Sequence, residues 1–160
     1  MHYIAIFALL AACVWTDDSH YSFSRSVGSG SGSSFSITGK ERITAIRVWE
    51  LYGNHIYGIQ LCYASNWSQI AGYTYNEPLE IELFKDEKII QVSGKYAHYI
   101  QSLIFVTNKG RSLVVGQPSG YSFNMYPTHP EAELRFLSGM YHGGLSSFQA
   151  HWDVLDDDYD

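Results

Sequence analysis

The chain has 160 residues, 46% of them hydrophobic, which suits one globular domain with a core and argues against a disordered chain. Its formal net charge is −6, so neither a nucleic-acid face nor a polybasic membrane patch is expected, since both need clustered positive charge. The 13 Tyr, 8 Phe and 14 Gly, beside only 4 Pro, favour many short strands joined by tight glycine turns.

Residues 4–15 form an almost unbroken apolar run, too short for a spanning helix, which needs about 20 apolar residues. Polar Asp17, Asp18 and Ser19 follow at once. The run therefore reads as the core of a secretory signal over residues 1–16, cleaved after Cys13 or Thr16. Leu10-Ala11-Ala12-Cys13 also spells a lipidation box, but the basic flank that such a box normally follows is missing. With Cys13 removed, Cys62 is the remaining thiol and no internal disulfide forms. An inert, buried role in a strand is expected for it.

Residues 17–27 are polar with scattered aromatics and suggest at most a first strand. Gly28-Ser29-Gly30-Ser31-Gly32-Ser33-Ser34 has the composition of a flexible linker, although a structured loop presenting backbone amides is the alternative. Strand-like runs then follow at residues 43–49, 57–63, 79–83, 89–92, 103–107, 113–115, 134–137 and 148–154. In three of them apolar and polar residues alternate: Tyr57, Ile59, Leu61 and Tyr63; Leu79, Ile81 and Leu83; Phe148, Ala150, Trp152 and Val154. That alternation places the apolar set on one sheet face. Turn signals at Gly53-Asn54, Asn76-Glu77-Pro78, Asn108-Lys109-Gly110 and Pro118-Ser119-Gly120 separate the runs. Regular spacing of this kind predicts an all-β sandwich, barrel or prism, with no helix after the signal. Asn66-Trp67-Ser68 is a glycosylation sequon, which predicts an exposed turn. Residues 155–160 read as an acidic, solvated tail.

Catalytic patterns are not found. There is no G-x-S-x-G elbow or H-E-x-x-H pair, and the glycine run lacks the ending of a phosphate loop. His151 falls on the polar phase of its strand, where a surface or hydrogen-bonded histidine is expected. Glu80 and Glu82, near Lys85 and Lys88, read as a solvated face. No enzyme, metal or cofactor is expected.

Several stretches, in order and spacing, match a known family. They are Gly28-Ser29-Gly30 with Phe35-Ser36, Ile43 to Val48, Asn66-Trp67-Ser68 and Ile90 to Tyr96. Phe105-Val106-Thr107, Ser122-Phe123-Asn124, Leu134-Arg135-Phe136 and His151 to Val154 complete the set. The chain resembles the jacalin-related lectins, in particular their animal zymogen granule group, over a domain spanning residues 21–154. The resemblance implies a β-prism of three four-stranded Greek-key sheets that binds glycans without metal, secreted by way of granules. It also implies a sugar site at one end of the prism, where three segments meet. These are Gly30, Ser31 and Gly32; Lys95 and Tyr96, with Ala97 and His98 beside them; and Met140 through Tyr141, His142, Gly143, Gly144, Leu145 and Ser146. Mannose-type or microbial surface glycans are the implied partners.

Two departures matter. The family's Gly-x-x-x-Asp loop carries His142 and Ser146 here, and Ser146 lacks the charge of that aspartate, so weaker mannose binding is expected. The basic residues that relatives hold beside the loops are replaced by Ser33, Ser34, Ala97, Gln101 and Ser102. Tight binding of heparin-like polymers is therefore not expected. A packaging protein of granules or mucus that has lost sugar binding is the competing reading.

Overall fold

A computed structural model describes residues 20–155. The expected signal segment and the expected acidic tail beyond Leu155 lie outside the described residues. The described chain opens on β1 (Ser22–Phe23), β2 (Val27–Gly28) and β3 (Ser33–Ile37). A hairpin of β4 (Ile43–Glu50) and β5 (Ile56–Tyr63) follows, then β6 (Asn66–Trp67), β7 (Ala71–Gly72) and β8 (Leu79–Glu82). A second hairpin, β9 (Ile89–Tyr96) and β10 (Ile100–Thr107), precedes β11 (Ser112–Gly116) and β12 (Tyr121–Met125). The third hairpin is β13 (Glu133–Tyr141) and β14 (Leu145–Asp153).

Each hairpin lies at the centre of its own antiparallel sheet. The orders are β1-β14-β13-β3 with β2 also on β14, β11-β10-β9-β12, and β6-β5-β4-β8 with β7 also on β5. No helix occurs among the described residues. This is the β-prism expected from the sequence.

Three glycines at equal intervals along the chain, Gly28, Gly72 and Gly116, mark the pseudo-threefold repeat. Their φ values are 101°, 88° and 100°. In each case a Cβ would fall within 2.4 Å of a carbonyl oxygen on the neighbouring hairpin, those of Ser146, Tyr57 and Gln101 respectively. A residue with a side chain is excluded there by both backbone angle and space.

The core fills the space between the three sheets. Ile46, Ile59 and Leu61 from one sheet, Val92, Leu103 and Phe105 from another, and Leu134, Phe148 and Trp152 from the third are almost fully buried. The alternation read in residues 148–154 is observed: Phe148, Ala150 and Trp152 are inside, while Gln149, His151 and Asp153 are partly exposed. His151 is hydrogen-bonded to Tyr21 and Ser138, as its phase suggested. Cys62 is buried in β5.

Three readings need correction. The Gly-Ser run is not a linker: its two ends are strands, with Gly28 paired to Ser147 and Ser33 to Tyr141. Leu79 does not join the core. It is 50% exposed because β8 borders one sheet and only Ile81 of that strand turns inward. Glu80 is not balanced by the lysines. It accepts from Arg47 Nε at 2.6 Å across the strand pair, and that guanidinium also covers the Trp67 ring.

The two ends of the prism differ chemically. Around the strand ends at Ile43, Thr107 and Glu133, ion pairs stitch the sheets together. Arg42 donates to Glu133 at 2.9 Å, and buried Arg135 donates to the carbonyls of Gly39, Lys40 and Glu41. Glu87, 1% exposed, accepts from Arg111, Thr107 and the Phe84 amide. The Arg111 guanidinium, helped by those other donors, holds the Glu87 carboxyl down at about 2 from an ordinary 4.5, outweighing the burial that would raise it. A depressed carboxylate stabilises the fold fully above the unfolded value, and the contribution is lost as pH falls from about 4.5 towards 2. Arg111→Met removes the main depressing group and leaves the burial. The acid-unfolding midpoint, followed by circular dichroism, is expected to rise by roughly one pH unit; an unchanged midpoint would refute this account of the base.

Candidate functional site

The opposite end is built from loops with little charge. The first loop, Ser29 to Gly32, joins β2 to β3. Its Gly30 amide donates to the Ser146 carbonyl at 3.1 Å, and the Ser146 hydroxyl donates back to the Ser31 carbonyl. These two bonds tie the glycine loop to the start of β14. A Cβ on Gly32 would lie 2.2 Å from the Tyr141 carbonyl oxygen and 2.5 Å from the His142 Cβ, so this loop and the β13–β14 turn are in direct contact.

The second loop, Ala97 to Tyr99, closes the β9–β10 hairpin through an Ala97 amide bond to the Tyr99 carbonyl at 2.9 Å. It touches the glycine loop through His98. The Ser29 amide points at the His98 carbonyl at 3.4 Å, and the Ser31 hydroxyl lies 3.5 Å from His98 Nε2. The third loop, His142 to Gly144, closes with the His142 amide donating to the Gly144 carbonyl at 2.9 Å. The glycine loop and the His142 turn named from the resemblance therefore meet at one end of the prism, and the second segment reaches them through His98.

Within that cluster the predicted residues differ in their access to a ligand. Gly30, Gly32, His142 and Gly143 are exposed, and Ser31 and Tyr141 are half-buried. Tyr141 meets Tyr73 edge-on at 5.8 Å. Gly144, Leu145 and Ser146 are buried, and the Ser146 hydroxyl is already committed to Ser31. Lys95 and Tyr96 are turned elsewhere. The Lys95 ammonium donates to the Ser122 hydroxyl at 3.0 Å, and the Tyr96 ring packs on Tyr121 and Phe123. His98 and Tyr99 are the residues that bring this segment into the cluster.

A further residue of the cluster escaped the sequence reading. His55, 4% exposed, follows the β4–β5 turn and stands where the three hairpins meet. Its ring stacks on Tyr99 at 3.9 Å with an interplanar angle of 5°. Its Nε2 lies 2.7 Å from the Gly143 carbonyl oxygen. A carbonyl only accepts, so Nε2 carries the proton. One histidine thus links the hairpin loops of all three sheets and holds the Gly143–Gly144 peptide in place. No pattern near position 55 announces this, because its partners lie far along the chain.

The surface so formed offers backbone groups, hydroxyls and imidazoles, with no carboxylate among the loop residues from Ser29 to Gly32, Ala97 to Tyr99 or His142 to Gly144. Such a surface is suited to hydrogen bonding and ring contact rather than to charge pairing.

Comparison with known proteins agrees with this architecture. Residues 24–151 match the family model described as a jacalin-like lectin domain. Zymogen granule membrane protein 16 of Homo sapiens is 43% identical over 136 residues, which is 83% of this chain and 81% of that protein. The crystal structure of a prostate-specific WGA16 glycoprotein lectin superposes with a TM-score of 0.75 at 28% identity, covering 84% of this chain and 100% of the other. Single-chain recombinant jacalin shares the fold at a TM-score of 0.73 and 23% identity, over 88% of this chain and 99% of its own. Strand order, loop convergence and family match agree, and this chain belongs to the jacalin-like lectin domain family.

Proposed function

We propose that this chain is a secreted carbohydrate-binding protein that takes glycans at the apex of the prism without a metal ion and without turning them over. Recognition runs through backbone amides and the polar side chains of Ser31, His98, Tyr141 and His142. The observation that carries this reading is the convergence of the Ser29–Gly32, Ala97–Tyr99 and His142–Gly144 loops on one exposed patch. A sugar presents hydroxyls at fixed angles, and a rigid set of main-chain donors and acceptors is suited to them. Residues 1–16 serve as a secretory signal and residues 21–154 as the binding domain. A glycan on exposed Asn66 would sit at the β5–β6 turn, at the end opposite the loops, and leave the apex clear.

One observation favours a second reading, a granule or mucus packaging protein with weak or lost sugar binding. Ser146 stands in place of the family aspartate, is fully buried, and spends its hydroxyl on the Ser31 carbonyl. It therefore gives a ligand no charged acceptor, and simple mannose is expected to bind weakly. A glycan array on the mature protein separates the readings. Binding that falls at least tenfold in Ser31→Trp, with unchanged thermal unfolding, supports the lectin; no binding to any glycan by a folded protein supports packaging.

A further inference from the structure

Below the apex, the strip from Ser24 to Gly28 runs beside β12 and leaves a cleft of about 390 Å³ between two sheets. That size lies within the roughly 300–1,000 Å³ of pockets that hold small molecules. Its walls include Arg25, Ser26, Gly28, Tyr96, Ser122 and Asn124, and no acidic residue. Gly28 leads directly into the Ser29–Gly32 loop, so the cleft adjoins the proposed sugar site along the chain. The lining is mostly hydroxyl, amide and aromatic, as a sugar ring requires.

Arg25 differs from the other four arginines. Arg42 is held by Glu133, Arg47 by Glu80, Arg111 by Glu87, and Arg135 by three carbonyls. Among the described residues Arg25 has no hydrogen-bond or ion-pair partner, and it stands in an acid-free cleft of a protein whose net charge is −6. A second cation is near: Lys95 donates to the Ser122 hydroxyl. A serine that accepts from lysine keeps its own proton to donate towards the cleft.

We infer that this cleft is a subsite, adjoining the apex, for a carboxylate-bearing sugar at the end of an extended glycan. The inference rests on the carbohydrate-binding reading of the apex. A carboxylate matches the planar fork of a guanidinium with two parallel hydrogen bonds. A single arginine beside one lysine gives a local, geometry-dependent contact. It does not supply the broad positive field that a polysulfated chain would need.

The test uses pairs of oligosaccharides with one core, capped either by a neutral hexose or by a sugar acid, titrated against the mature protein at low and physiological salt. Wild type is expected to bind the acid-capped member about tenfold or more tightly. Arg25→Gln is expected to lose that preference while its affinity for the neutral member and its thermal midpoint stay unchanged. Arg25→Lys is expected to keep part of it. Equal affinity for the two members in wild type, or a preference that survives Arg25→Gln, overturns the subsite and leaves the apical site standing. Binding of neither member overturns the carbohydrate reading and the subsite together. A sulfated polymer bound equally by wild type and Arg25→Gln, and more tightly than the acid-capped glycan, also overturns the subsite, because diffuse charge would then explain the affinity.

Discussion

Truncation of Trp152 to alanine is expected to lower the free energy of unfolding by roughly 3–5 kcal/mol. Trp152 is fully buried in β14, where it pairs with Ser22 of β1 and Leu134 of β13. Its indole N–H is satisfied by the Ser24 hydroxyl at 2.9 Å, so the side chain carries no unmet polar atom into the core. Alanine would remove that packing, open a cavity where the sheets meet, and orphan the Ser24 contact. Small domains are stable by only about 5–15 kcal/mol, so the variant approaches the limit of folding at physiological temperature. Urea unfolding measures the loss. Phe23→Ala is the control: that ring is 64% exposed one position from the Trp152 pairing, and its loss is expected to stay within about 0.5 kcal/mol. A Trp152 variant as mild as the Phe23 variant would show that the core does not depend on this residue.

The same strand shows what could be read from sequence. Phe148, Ala150 and Trp152 alternate with polar residues over a length that only a half-buried strand satisfies, and the buried face follows directly. Strands of two residues, such as β1, β2, β6 and β7, are too short for any period to register. β12 does carry a period, since Tyr121, Phe123 and Met125 alternate with Ser122 and Asn124, although only Phe123 and Met125 are buried and Tyr121 is 72% exposed. The Gly-Ser run misleads for another reason. Composition reports the flexibility of the unfolded segment, not the hydrogen bonds to Ser146 and His98 that fix it in the fold.

The apex was legible only through family resemblance, and only in part. The glycine loop and the β13–β14 turn fell where expected, because positive-φ glycines leave a trace in the sequence. The central segment divides between strand and turn. Lys95 and Tyr96 lie within β9, so their side chains follow the sheet, whereas His98 and Tyr99 belong to the turn itself. His55 left no trace, since a buried histidine stacked on a distant tyrosine has no local spacing rule.

Placing alanine at Gly144 is therefore expected to reduce glycan affinity about a hundredfold, roughly 3 kcal/mol. A Cβ there would lie 2.3 Å from His55 Nε2 and 3.0 Å from the Ile56 carbonyl oxygen. The backbone adds its own penalty, because Gly144 has φ of 142°, a region that costs a residue with a side chain about 1–3 kcal/mol. Either the His55 ring leaves its stack on Tyr99 or the Gly143–Gly144 peptide moves; both displace the exposed turn from the glycine loop. The hydrogen bond to the Gly143 carbonyl is lost in each case. Titration with any glycan bound by wild type measures the effect, and a double-mutant cycle with His55→Ala identifies its source. If the clash with the imidazole dominates, His55→Ala/Gly144→Ala binds better than Gly144→Ala alone, while His55→Ala by itself still binds less well than wild type, because nothing then fixes the Gly143 carbonyl. Simple additivity of the two changes would place the whole defect in the backbone angle. A Gly144→Ala protein with wild-type affinity would mean that the His142 turn takes no part in binding.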